Sequence, residues 1–367
     1  MKRIISLLLL AASLCMLTAC GGKEYKPVAS TEEEAKTVLT IKIGDKSYDV
    51  KYELYRAFFL NLKKTVDGGD ESVWTGENKN EYINRIDDLV LAQITDVYSV
   101  LYEAEKIGVD PYSSEFDKKV KKYVRIGVEG GFYNDLIIDG FGGSYSKYLD
   151  SLKAANMNYS VQDLLIRYSL AYDELNYYYA GYVKDEVTGE LAGEHIEYTR
   201  DDVFDFYYSE DCVRVLRAYL PLTTQKDPEK LRLDMIDAAR YGDDVVRQCV
   251  GGKSQTLIED VDNGEVIGRF SLDTVYYGEL INAAFGIGYS EVSEVITINT
   301  DTDSGYAILY KLVKTNQHFD DCYTDIREVY KQNEIGKILN TCASQMKSGV
   351  EITEFLKGLD RASISMK

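Results

Sequence analysis

The chain has 367 residues, of which 45% are hydrophobic and 28% charged, with 61 acidic against 42 basic side chains and a net charge of -19. That balance is globular and excludes a disordered chain. The excess of acid excludes nucleic acid as a partner, because such partners need a basic footprint, and it keeps the folded body from lying flat on anionic lipid.

In chain order, Lys2 and Arg3 form a basic start, and Ile4 to Leu17 is an almost unbroken apolar run. At about 14 residues it is shorter than the roughly 20 that a membrane span needs, so it reads as the core of an export signal. Leu17-Thr18-Ala19-Cys20, followed by Gly21-Gly22, resembles the lipobox of a bacterial lipoprotein. The resemblance implies a signal peptide over 1–19, cleavage before Cys20 and lipidation of its sulfur. Two acyl chains on that sulfur satisfy the requirement for stable anchoring. The expected location is extracytoplasmic, at the cell membrane. Residues 20–36 are polar with one proline and read as a tether.

Val38 to Ile43 alternates, Gly44-Asp45 signals a turn, and Ser47 to Val50 resumes, which predicts a small hairpin. Glu53 to Lys64 follows as a helix with Leu54, Phe58 and Leu62 on one face, broken by Gly68-Gly69-Asp70. The clearest helix covers 79–107, where Ile83, Ile86, Val90, Ile94, Val97, Leu101 and Ala104 recur at spacings of three and four. Further helices are predicted at 115–126, 144–155 and 160–182, with a Gly-rich loop over 127–143. Thr199 caps a short helix ending at Tyr208. Many of the 31 tyrosines fall between Tyr98 and Tyr208.

The texture then changes. Val213 to Tyr219 reads as a strand, Asp227 to Tyr241 and Asp243 to Val250 as helices, and Gly264 to Phe270 as turn and strand. Tyr276 to Phe285 is helical. Val292 to Ile298 and Tyr306 to Leu312 are strands around the polar turn Asn299 to Ser304. Asp320 to Lys347 is helical again, and the stretch beyond Val350 is weakly specified.

Four stretches in this second half resemble, in family order, a parvulin-type peptidyl-prolyl isomerase domain. They are the step Ala239 to Val246, the turn Ile267-Gly268-Arg269-Phe270, the run Ala283-Ala284-Phe285 to Val295-Ile296, and the strand Ser304-Gly305-Tyr306-Ala307-Ile308-Leu309. Within the third, Ser290 replaces the family Gly and Val295 the family Pro. Earlier, Ile41 to Tyr48, Ala104 to Val109 and Asp201 to Tyr208 resemble the helical part of SurA- and PrsA-like extracytoplasmic foldases. The resemblance implies an α+β fold: a helical chaperone-like domain (37–208) completed by a C-terminal helix (318–350), with an inserted parvulin-like antiparallel-sheet domain (209–317) and a tail (351–367).

The resemblance also places the family's two active-site histidines. One falls on Arg217 or Tyr219, depending on register, and the other on Ala307. The acid or thiol position falls within Gln255 to Asp260, where Glu259 or Asp260 could serve. The peptide-binding wall falls on Phe270, Tyr276, Leu280 and Phe285. His195 and His318, the chain's two histidines, lie outside the matched block. With so few histidines and no C-x-x-C, a zinc site or a histidine triad has almost no raw material, and neither metal nor cofactor is expected.

Once Cys15 leaves with the signal and Cys20 carries lipid, Cys212, Cys249, Cys322 and Cys342 remain. Disulfides are permitted outside the cell, but the wide spacing shows no framework, and the four read as buried thiols. The expected function is a lipid-anchored foldase that binds unfolded or newly secreted polypeptide, with weak or absent isomerase activity. The alternatives are an active peptidyl-prolyl isomerase acting on proline-containing chains and a solute-binding lipoprotein. The last would show repeated βαβ units, which the long helical start disfavours.

Overall fold

The computed structural model describes residues 25–67, 71–74, 76–133, 136–184, 191–194, 196–223, 226–256, 258–270, 274–299 and 304–364. The signal, Cys20, Gly68-Gly69-Asp70 and His195 lie outside the described residues.

The first part is a helical body. Strands β1 (Thr37–Ile43) and β2 (Lys46–Lys51) form the expected hairpin. Its turn is at Gly44, whose φ of 55° suits a residue without a side chain. Helix α1 (Tyr52–Asp67) follows, and then α2 (Lys79–Lys106). Along α2, Ile86, Val90, Ile94, Val97, Leu101 and Ala104 are all buried, so the three-and-four spacing marks the face that meets the core. Ser113 caps α3 (Ser114–Glu129), Ser144 caps α4 (Tyr145–Ala154) and Asn158 caps α5 (Tyr159–Tyr179). Thr199 and Asp202 form a reciprocal capping box at the start of α6 (Arg200–Tyr208).

Two short hairpins inside the body escape the sequence reading. They are β3 (Gly131–Tyr133) with β4 (Leu136–Ile138), and β5 (Tyr182–Lys184) with β6 (Leu191–Glu194). Strands of three or four residues offer too little alternation to detect.

The sheet block begins with β7 (Cys212–Pro221) and continues through α7 (Pro228–Ala239), α8 (Asp243–Lys253) and the short α9 (Ile258–Asn263). Then come β8 (Glu265–Gly268), α10 (Thr274–Gly286), β9 (Ile296–Asn299) and β10 (Ser304–Leu312). The four strands form an antiparallel sheet in the order β8-β7-β10-β9. Because side chains alternate along a strand, each face carries its own apolar set. Leu216, Ala218, Leu220, Ile308 and Tyr310 pack with α7 and α8. Val213, Val215, Ala307 and Leu309 pack with α10.

The strand expected at 292–298 is broken. Only 296–299 belong to β9, and Val292 makes an isolated bridge to Tyr310. Between them the Ser293 side-chain oxygen accepts the Leu309 N–H at 2.9 Å, so a hydroxyl replaces a backbone acceptor where the chain shifts.

The C-terminal helix is interrupted at Cys322 into α11 (Asn316–Asp321) and α12 (Tyr323–Ser348). Helix α12 completes the helical body by lying against α2 and α5, and it also touches α6 and β8 of the sheet block. At β8 two glycines permit the approach. A Cβ on Gly268 would meet Asn333, and one on Gly336 would overlap the Phe270 carbonyl. Asn333, itself buried, accepts the Phe270 N–H at 2.8 Å.

Two expectations are corrected. Residues 25–36 are no free tether, because Tyr25 is only 7% exposed and its hydroxyl bonds Glu129, while Glu34 pairs with Arg56. The stretch after residue 350 is no loose tail. Val350–Ile352 is a third strand on β1, Glu354–Gly358 is a helical turn, and Leu356 and Ile364 enter the body's core. In both stretches burial rests on isolated side chains, which leave no period to read. Among the described residues these four cysteines form no disulfide, Cys212 and Cys342 being buried and Cys249 and Cys322 half-buried. Burial pushes the thiols of Cys212 and Cys342 up to about 12, which makes them inert at neutral pH.

Candidate functional site

The positions that the sequence resemblance assigns to histidine meet in one patch of the sheet. In the β7–β10 register Ala307 lies opposite Tyr219, and Leu309 opposite Arg217. Positions two apart share a face, so Arg217, Tyr219 and Ala307 all stand on the side covered by α10. The sequence left Arg217 and Tyr219 as alternatives for one position; the structure brings both beside Ala307.

Their environments differ. Ala307 is 0% exposed and sits among Leu280, Ala284 and Ile296. Its methyl group is sealed in the core and offers nothing to a bound chain. Arg217 donates to Glu265 at 3.0 Å, in an ion pair at the edge of the covered face. Tyr219 is half-buried, and its ring lies so close over Gly305 that a Cβ there would collide with it. Its hydroxyl donates to the Ser304 carbonyl at 3.3 Å. On the other side of β7, beyond the end of β8, Thr256 donates to the Arg217 carbonyl at 2.7 Å and accepts the Tyr219 N–H at 3.1 Å. Gln255 and Thr256 are therefore fixed beside the patch. Leu257 and the Glu259 side chain lie outside the described residues, and Asp260 sits on α9, half-buried.

The residues of the expected peptide-binding wall differ in their surroundings. Leu280 is 3% exposed and is core beneath α10, a placement that corrects its expected role on an open wall. Phe285 is half-buried at the margin of the same cluster, with the Arg269 guanidinium 4.2 Å above its ring. Phe270 is held through its backbone to α12. Tyr276 lies on α10, and its side chain is outside the described residues. Sequence reasoning missed Glu265 and Thr256. The signal for Glu265 was its place opposite Val215 once the strand after Gly264 is recognised.

His318 lies elsewhere, on α11 next to Phe319, which belongs to the cluster that joins α6, β7, α11 and α12. It is 5% exposed, and its Nδ1 is 2.8 Å from the Tyr207 hydroxyl, while its Nε2 is buried without a partner. Burial, with Arg214 and Arg247 nearby, lowers its pKa to about 4.

The patch thus contains an ion pair, a phenol and a methyl group. No side chain described there is an imidazole. An amide isomerase needs no covalent step, only tighter binding of the twisted amide than of the planar one. The ordinary barrier is about 18–20 kcal/mol. Among the described residues no group of histidine, cysteine and acidic side chains is placed to hold a metal ion, and no helix is long and apolar enough to cross a membrane.

No family model and no curated protein matches the chain. Among solved structures the chain is similar to foldase protein PrsA from Streptococcus pneumoniae, with 14% identity over 74% of this chain and 88% of that one, at a TM-score of 0.25. It is also similar to foldase protein PrsA from Lactococcus lactis, with 13% identity over 90% and 99% of the two chains and a TM-score of 0.23. A third similarity is to PrsA from Bacillus subtilis, with 14% identity over 78% and 94% and a TM-score of 0.22.

Proposed function

We propose that this protein is an extracytoplasmic folding factor, lipid-anchored at Cys20, that binds unfolded or newly exported polypeptide and has little or no isomerase activity. The observation that supports the reading best is the pairing of Ala307 with Tyr219 at the positions where the sequence resemblance calls for histidine. A buried methyl group cannot polarise or orient an amide, and Arg217 is engaged by Glu265. The α+β organisation and the order of the four motifs favour a foldase. The acidic surface suits a soluble body held near a membrane and kept off it.

The test uses the full mature chain in two assays on one preparation: a protease-free Xaa-Pro isomerisation assay and suppression of aggregation of an unfolded client. Suppression without a rate above background is the expected result. Rates typical of active isomerases would overturn the claim of lost catalysis, and failure in both assays would overturn the folding-factor reading. Membrane attachment is tested with Cys20→Ala, which should release the protein into the soluble fraction. A variant that still sediments with membranes at high salt would refute the lipid anchor.

A further inference from the structure

A groove of about 650 Å³ lies in the helical body, and none of its lining residues belongs to the isomerase-like patch. It is bounded by four separate pieces of chain: residues 28–34, the start of α1, the corner between α4 and α5, and residues 359–364. Two of these are the stretches expected to be tether and tail. Leu149, Leu152, Met157, Leu359 and Ile364 give it an apolar floor, and the exposed Val28 adds to its apolar lining. Its corner is stiff. Asn156 is held at a φ of 62°, and its amide donates to Asn61 at 2.7 Å. Asn158 caps α5 and donates to Glu53 at 2.8 Å.

The rim is acidic. Glu34 is engaged by Arg56 and Thr31. Glu32 and Glu33 are exposed and form no ion pair among the described residues. Glu53 brings the carboxylates lining the groove to four, against Arg56, which Glu34 engages, and Lys153. A groove with an apolar floor and a carboxylate rim suits a ligand whose side chains alternate between apolar and cationic. An extended peptide presents such a pattern, since successive side chains point to opposite sides.

We infer that this groove binds a short extended polypeptide segment in which apolar residues alternate with lysine or arginine. The inference rests on the folding-factor reading and supplies the client chemistry that it leaves open. Apolar side chains fill the floor beside Val28 and Leu152, and cationic ones reach Glu32 and Glu33. Complementary charge raises the encounter rate and rejects acidic segments.

The test measures fluorescence anisotropy of a labelled decapeptide of alternating leucine and lysine broken by glycine, and of its counterpart with glutamate in place of lysine. The full mature chain is compared with Glu32→Lys/Glu33→Lys, whose side chains are exposed and whose replacement leaves the core intact, and with Val28→Asp. The expected result is binding of the basic peptide alone, weakened about tenfold or more in each variant. Unchanged binding of the basic peptide in the charge-reversed protein would overturn the inference. So would equal binding of the two peptides by the wild-type chain. Suppression of client aggregation without binding of either peptide would overturn the groove and leave the folding-factor reading standing. Loss of both activities in the wild-type chain would overturn both.

Discussion

The helical body and the sheet block bury their apolar side chains in different ways. In the body one cluster runs from Tyr25 through α1, α2 and α5 to Cys342, Leu356 and Ile364, so both ends of the described chain close the same core. In the block the sheet divides the apolar residues into two smaller clusters on opposite faces. Each face depends on one thin layer of helix, and the β8 edge leans on α12 through Gly268, Gly336 and Asn333. The body should therefore stand without the block, while the block needs the helix that belongs to the body.

The largest effect should come from breaking that contact. Gly336→Val places a side chain where the Phe270 carbonyl lies. Replacing a helical glycine by a better helix former usually helps by up to about 1 kcal/mol. Here overpacking should destabilise the block by about 3 kcal/mol or more. Urea melts followed by separate probes in the two parts check this. A stabilised protein, or one shifted equally in both parts, would break the comparison.

Leu280→Ala should come next, because it empties a site under α10 that no second layer can refill. It should cost about 3 kcal/mol, read in the block's transition with the body's unmoved.

The junction between the two parts should respond to acid. His318 has a folded pKa of about 4, against an unfolded value near 6.5. The folded state holds the ring neutral, so its contribution is complete above the unfolded value. As pH falls from 6.5 toward 4 the unfolded chain takes up the proton first and stability is lost, by about 2 kcal/mol at pH 5. The groups facing it are Arg214, Arg247, Tyr207 and Asp321, and only Asp321 opposes the shift. His318→Gln should remove this component from the stability profile. An unchanged slope between pH 5 and 6.5 in that variant would assign the acid sensitivity to carboxylates.

The smallest effect should be at the patch itself. Arg217→Ala removes a half-exposed ion pair with Glu265, worth less than about 1 kcal/mol. On the proposed reading it should leave suppression of aggregation unchanged and raise no isomerase rate above background. A gain or loss of rate would make Arg217 part of a working site.

Much of the fold was legible because long periodic elements announce themselves. Helix α2 could be read from its apolar spacing, α6 from the Thr199 cap, and β7 and β10 from alternation. The positions that the resemblance assigns to histidine converged because strand register follows from few residues once the two strands pair. Leu280 and Phe270 were harder. Whether an apolar side chain lines a cleft or a core depends on what covers it, and α12 covers the Phe270 backbone from about sixty residues away, a long-range contact that local pattern cannot encode. The groove was invisible for the same reason, since its walls come from four distant segments.

The docking of Tyr25 has a mechanical result for a lipidated chain. A lipid on Cys20 would be joined to the folded body by the links from Cys20 to Tyr25 alone. At no more than about 3.6 Å per residue, those five steps reach roughly 18 Å. The protein would ride on a short leash, at little more than half a bilayer's core thickness (~30 Å) from its anchor. The groove beside residues 28–34 would then spend its time in the layer of solvent next to the membrane, where exported chains first appear.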